Sequence, residues 1–397
     1  MKILLLSFYY PPDLCAGSFR AGALARALRE AGGDEVEVDV ITTMPNRYAS
    51  HQQEALEFET SDRVCVRRIP LSAHRSGMLD QSRAFLDYAR GVQRHTEAGR
   101  WDIVVATSSR LMTAALGAQV AKRLGAALYL DIRDIFTDTM SDLLVGRTLR
   151  CVLPGLRWLE RRTLRAADRI NLVSPGFLPH VRKLTNRTDF ALFPNGIDEE
   201  FLHQNFSLQS EDSHALPLVL YAGNIGDGQG LHHVVPGAAR ELIGRARFRI
   251  IGDGGRMKAL QDAVVEAGVG NVELVAPVSR MELVAHYQEA DALLLHLNDH
   301  DSFLKVLPSK IFEYGATGKP LLAGVAGYAA EFIAESLPDA WVFRPCDANG
   351  LAAGVRALAS SPAVFDRTEF RSRFARRHIM RAMASDVLSV PERIRGG

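Results

Sequence analysis

Short apolar runs separated by longer amphipathic stretches set the rhythm of this chain. KILLLSF, EVDVIT, DIVVAT, ALYLDI and RINLVS in the first half, and LVLYAG, FRIIGD, VELVAP, ALLLHL, PLLAGV and AWVF in the second, have the length and composition of buried strands. Their alternation with helical patterns predicts parallel strands joined by crossover helices. So many strands overfill one open sheet, so each half predicts its own Rossmann-like sheet in an α/β fold. The rhythm lapses in DEEFLHQNFSLQSEDSHAL, which predicts a link between a domain over 1–200 and a second over 201–375. Beyond 365 the chain turns basic and helical: RTEFRSRFARRHIMR holds six arginines against one acid.

Composition narrows the class. Apolar residues make up 47% and charged residues 23% of 397 residues, with a formal charge of +1, so a folded core is expected and a nucleic-acid binder is not. Cys15, Cys65, Cys151 and Cys346 stand far apart, which suggests neither a disulfide framework nor a zinc site and fits a cytoplasmic compartment. The opening MKILLLSFYYPP is too short for a secretory core, and no run is long enough to span a membrane. The histidines show no ligand spacing, and His232 and His233 would point apart on a helix; no metal is expected.

Candidate chemistry falls where strands hand over to helices, the place where open parallel sheets collect ligands. In YYPPDLCAGSFRAG, Gly17 and Ser18 would let backbone approach an anion and Arg20 could grip a phosphate or carboxylate, or Arg20 is a solvated side chain on a plain turn. In VLYAGNIGDGQGL, Gly223, Asn224 and Gln229 read as a sugar-diphosphate loop or a structural turn, with spacing unlike a dinucleotide fingerprint. RIIGDGGRMKAL puts Gly252 before Arg256 at a helix entrance, where a cation is disfavoured unless an anion binds. In LPSKIFEYGATGKP, Ser309 and Lys310 would meet a diphosphate and Glu313, one turn on, a ribose. At the end of YLDIRDIF, Asp131, Arg133 and Asp134 would orient an acceptor hydroxyl or take its proton, or Asp131 and Arg133 form an internal ion pair; Ser108 and Ser109 could line the same space.

A different feature occupies 147–169. Seven arginines face only Glu160 and Asp168, interleaved with leucines and Trp158, and Pro154-Gly155 should interrupt any continuous helix. Such a surface can rest on anionic lipid headgroups, or its arginines are simply solvated.

Together these segments, above all LPSKIFEYGATGKPLLAGVAGYAAEFI, resemble glycosyltransferase family 4 of the GT-B fold, nearest to bacterial enzymes of O-antigen, capsule and exopolysaccharide assembly such as the N-acetyl-fucosaminyltransferase-like members. The resemblance implies two Rossmann-like domains facing each other across a cleft, with an acceptor on the first and a nucleoside-diphosphate sugar, favoured as a UDP-sugar, on the second. It implies retention of anomeric configuration, no cofactor and no essential metal, a lipid-linked acceptor at the inner membrane face, and a helix over 376–397 crossing back to the first domain. Many members carry Arg and Lys where this chain has Asn224 and Gln229, and Glu where it has Lys305; Lys305, Lys310 and Arg256 are the substitutes at hand. A nucleotide-sugar epimerase of the same fold, or a non-catalytic nucleotide-sugar binder, is the alternative.

Overall fold

The computed structural model describes residues 1–46, 54–72, 78–108, 110–135, 137–138, 152–204, 206, 216–358 and 364–396. The chain divides into two compact units, one of Met1–Asn195 with Arg376–Gly397 and one of Gly196–Ala375. The boundary falls a few residues before the expected position at 200, and most of the polar stretch expected to link the units lies outside the described residues.

The first unit holds a sheet in the order β3-β4-β2-β1-β5-β6-β7, with β1 Lys2–Ser7, β2 Glu37–Thr43, β3 Phe58–Ser61, β4 Val64–Ile69, β5 Ile103–Ser108, β6 Ala127–Ile132 and β7 Arg169–Leu172. All pairings are parallel except β3 with β4. The central strands are buried along their length because crossover helices cover both faces, which is why they read as continuous apolar runs. The β3–β4 hairpin was not expected from sequence. Its second strand carries Arg67 and Arg68, and Arg68 is buried by donating to the carbonyls of Leu56 and Pro11 and to Glu59.

The second unit holds six parallel strands in the order β10-β9-β8-β11-β12-β13: β8 Leu218–Ala222, β9 Arg247–Ile251, β10 Val272–Val275, β11 Ala292–His296, β12 Leu321–Gly324 and β13 Trp341–Phe343. Its core joins Val219, Phe248 and Leu294 of the sheet to Leu231, Val234 and Val235 of the Leu231–Glu241 helix. The order of the parallel strands turns between β1 and β5 in the first sheet and between β8 and β11 in the second.

The Leu153–Ala166 helix begins at Pro154-Gly155, where a break in any continuous helix was expected, because a proline in the first turn lacks only an N–H that would have no partner. Residues 147–151 of that basic stretch lie outside the described residues. His232 and His233, expected to diverge, lie with ring centroids 3.9 Å apart and planes tilted by 39° in the first turn of their helix. No described helix is long and apolar enough to cross a membrane.

Candidate functional site

At the reversal point of the second sheet, the loop after β8 is tied down by its own polar groups. The Asn224 amide donates to Gln229 Oε1 at 2.9 Å and the Gly226 N–H donates to the same oxygen at 3.2 Å. Asn224 and Gln229 thus close the turn on each other. The end of β11 supports it from below: Asn298 donates to the Asp227 carbonyl at 2.9 Å, and His296 Nδ1 faces the Gln229 carbonyl at 2.6 Å. His296 Nε2 accepts the Cys346 N–H at 2.8 Å, so the ring proton sits on Nδ1. Burial keeps this imidazole neutral, with a pKa of about 4.

Glycine is required in the loop after β9 for a structural reason. Gly252 has φ +145°, and a Cβ there would lie 1.8 Å from the Gly223 carbonyl oxygen. Close backbone packing between the β8 and β9 loops accounts for the residue without any ligand. Arg256 pairs with Asp227 Oδ1 at 2.7 Å, and His300 approaches the other oxygen at 3.5 Å, so the cation at that helix entrance already has an anion. Lys305 ends the short Asp301–Lys305 turn and is half-buried.

The densest electrostatic arrangement lies at the Lys310–Thr317 helix. Ser309 is its N-cap and makes no capping bond through its side chain. Glu313 is buried at 5% exposure, and its Oε2 accepts Lys310 Nζ at 2.7 Å and the Tyr287 hydroxyl at 3.3 Å. Oε1 accepts Arg280 Nη1 at 3.3 Å, and Arg280 Nη2 reaches Asp198 at 2.5 Å. Burial alone would raise the carboxyl's pKa, but Lys310 and Arg280 outweigh it and bring it down to about 2. Lys310 also donates to the Tyr287 hydroxyl at 3.1 Å.

An ammonium has three donors and a carboxylate about four acceptor positions. Lys310 therefore keeps one N–H, and Glu313 keeps one lone pair on Oε1, beyond the bonds made here. Sequence reading placed Lys310 and Glu313 side by side but missed Arg280 and Tyr287. A signal was available: the two are seven residues apart, and so share one face of the Arg280–Glu289 helix, which begins with the Ser279–Glu282 capping box.

The first unit corrects several expectations. Asp131 is fully buried and accepts Arg20 Nε at 2.8 Å, Arg20 Nη2 at 2.9 Å, the Thr107 hydroxyl at 2.8 Å and the Asn171 amide at 2.7 Å. Strand register sets Thr107, Asp131 and Asn171 side by side across β5, β6 and β7. Burial opposes ionisation, yet the guanidinium holds the carboxyl below its usual range. With all its acceptor positions occupied, Asp131 is a structural anchor rather than a proton acceptor. Arg20, also at 0% exposure, donates further to the carbonyls of Phe193 and Pro194 and so is enclosed by its own unit. The expected partner of Asp131 was Arg133; the observed one is Arg20, because the Ala16–Gly32 helix lies over the strand ends.

Ser18 is fully buried, and its Oγ has no hydrogen-bond partner among the described residues. Gly17 makes room for a neighbour, since a Cβ there would lie 2.4 Å from Arg133 Nη1. Arg133 is half-buried, and burial lowers its pKa. The Ser108 hydroxyl accepts the Arg110 N–H at 3.1 Å and is spent locally. Asp134 is half-buried and lines a cavity of about 20 Å³ with Ser108 and Glu160, room for a single water. Ser109 lies outside the described residues.

Comparison with known proteins places these sites in a family. Residues 17–196 match the glycosyl transferase 4-like domain and residues 205–378 match glycosyl transferases group 1. The chain is 25% identical over 391 residues to the putative colanic acid biosynthesis glycosyl transferase WcaI of Escherichia coli K12, covering 91% of this chain and 93% of that one. Sucrose-phosphate synthase from Thermosynechococcus elongatus superposes with a TM-score of 0.69 at 14% identity, over 100% of this chain and 98% of that one. Anabaena HepE in complex with UDP and glucose superposes with a TM-score of 0.63 at 15% identity, over 100% and 98% of the two chains. With two parallel Rossmann-like sheets and both halves matched in order, the chain belongs to the family 4 glycosyltransferases of the GT-B fold.

Proposed function

We propose that this glycosyltransferase moves a sugar from a UDP-sugar to a lipid-linked saccharide in surface-polysaccharide assembly, with retention of configuration and without an essential metal. The observation that carries the donor half is the Lys310–Glu313 pair: one N–H remains for a phosphate oxygen and one carboxylate lone pair for a ribose hydroxyl, a turn apart on one helix. HepE, of the same fold, is described in complex with UDP and glucose, which favours uracil; WcaI, described as acting in colanic acid biosynthesis, favours a polysaccharide product.

Breaking the sugar–phosphate bond puts negative charge on the leaving diphosphate and positive charge on the sugar. Lys310 and the positive end of the Lys310–Thr317 helix dipole stabilise the first. In same-face attack the leaving phosphate takes the acceptor proton, so no carboxylate need do so, in keeping with the enclosed state of Asp131. Purified protein incubated with a panel of UDP-sugars and a polyprenyl-diphosphate-linked saccharide tests this. Transfer from one of them with the anomeric configuration kept is expected; binding of UDP without transfer from any donor overturns it.

A further inference from the structure

We infer that Arg280 is a positioning residue of the nucleotide site: its guanidinium, braced by Asp198, aims the Glu313 carboxylate at the ribose. This rests on the ribose reading above and extends it to two residues that act through Glu313.

A glutamate carboxylate turns readily about its last side-chain torsion, which has a broad, two-fold profile. The bonds that hold it here divide unevenly between its oxygens. Lys310 and the Tyr287 hydroxyl both donate to Oε2. Among the described residues the donor to Oε1 is Arg280 Nη1, at 3.3 Å, and Oε1 is the oxygen with a lone pair still to offer. The direction of that lone pair therefore depends on where Arg280 stands.

Arg280 is fixed at two further points. Its Nη2 donates to Asp198 at 2.5 Å, and its Cζ lies 4.7 Å from the Phe201 ring centroid. Phe201 is buried with its ring 5.6 Å from that of Tyr287, so both donors from the Arg280–Glu289 helix share one aromatic support. A guanidinium is planar, and an anchor on Nη2 sets the direction of the Nη1–H bond. The brace is firm in turn: Asp198 lies near the start of the second unit at Gly196, and the Ile197 N–H beside it donates to the Phe374 carbonyl at 2.8 Å.

The way the fork is used separates this arrangement from an ordinary ion pair. Arg367 gives both of its terminal nitrogens to the one carboxylate of Asp339, the geometry that suits a pair serving stability alone. Arg280 divides its fork between two carboxylates, and one of them keeps an acceptor position for a ligand.

Titration calorimetry with UDP and with 2′,3′-dideoxy-UDP tests the inference on wild type, R280Q, R280K, D198N, E313Q and R356Q. Preference for UDP is a ratio of two affinities on one protein, so a general loss of folded protein cancels. Wild type should prefer UDP by about tenfold; R280Q should lose most of that preference, and D198N should lose roughly threefold. R280K keeps the charge but cannot bond both carboxylates in one plane, so it should fall between R280Q and wild type. R356Q removes an exposed ion pair with Glu241 in the same unit and should match wild type. Wild-type preference in R280Q or in D198N, full preference in R280K, or loss in R356Q overturns the inference. When E313Q has lost the preference, such a result leaves the ribose reading standing; preference kept by E313Q overturns both.

Discussion

Arg20 and Asp131 lock together through two hydrogen bonds of 2.8 and 2.9 Å, with neither side chain exposed to solvent. The pair ties the first long helix to the sheet, and Arg20 continues to the carbonyls of Phe193 and Pro194 near the end of the first unit. It therefore holds that unit together where a sequence reader would look for catalysis.

Removing one partner of such a pair leaves a buried charge. Asp131→Asn or Arg20→Met should cost about 3–5 kcal/mol in chemical denaturation of the first unit. Turnover per folded molecule of D131N should stay within about threefold of wild type, below the 10²–10⁴-fold cost of losing a general base. Full stability with abolished turnover would return Asp131 to a role as proton acceptor.

Gly252 gives a second prediction. Its positive φ and the 1.8 Å approach of a Cβ to the Gly223 carbonyl make Gly252→Ala doubly unfavourable, by strain and by overlap with backbone. A loss of about 3 kcal/mol is expected. Gly255→Ala is the control, since a Cβ there meets nothing within 4 Å; equal stability of the two variants in urea melts would contradict the packing argument.

The third concerns pH. His180 lies between Asp138, 3.4 Å from Nδ1, and Glu160, 3.3 Å from Nε2. Burial lowers its pKa, but the two carboxylates outweigh that and raise it to about 9 from 6.5. A raised pKa means that the folded state holds the proton more tightly, so the contribution is full below pH 6.5 and disappears as pH rises through about 9. Denaturation midpoints of wild type should fall across that window, and His180→Gln should flatten the fall. An unchanged slope in the variant would mean that the ring titrates normally.

How much of this was legible in the sequence depended on whether the signal was local. Buried strands announce themselves as apolar runs, so eleven strands and two Rossmann-like sheets could be read, whereas β4 was hidden by exposed Arg67 and by Arg68, whose burial depends on the carbonyls of Leu56 and Pro11. Lys310 and Glu313 are one turn apart and could be paired on paper. Arg280 and Tyr287 come from another helix, and only the fold brings them to the same carboxylate. The same gap explains Asp131: its true partner is 111 residues away, while the sequence offered Arg133 next to it.

The central claim is that Glu313 receives a ribose hydroxyl while Lys310 meets the phosphates. It is tested most directly by calorimetric titration of wild type and Glu313→Gln with UDP and with 2′,3′-dideoxy-UDP, at a pH well above the carboxyl's value of about 2. Comparing two ligands on each protein cancels any general loss of stability in the variant. A hydrogen bond from a ribose hydroxyl to this carboxylate predicts that wild type prefers UDP by about tenfold or more, and that the variant loses most of that preference. Equal preference in the two proteins would contradict the account.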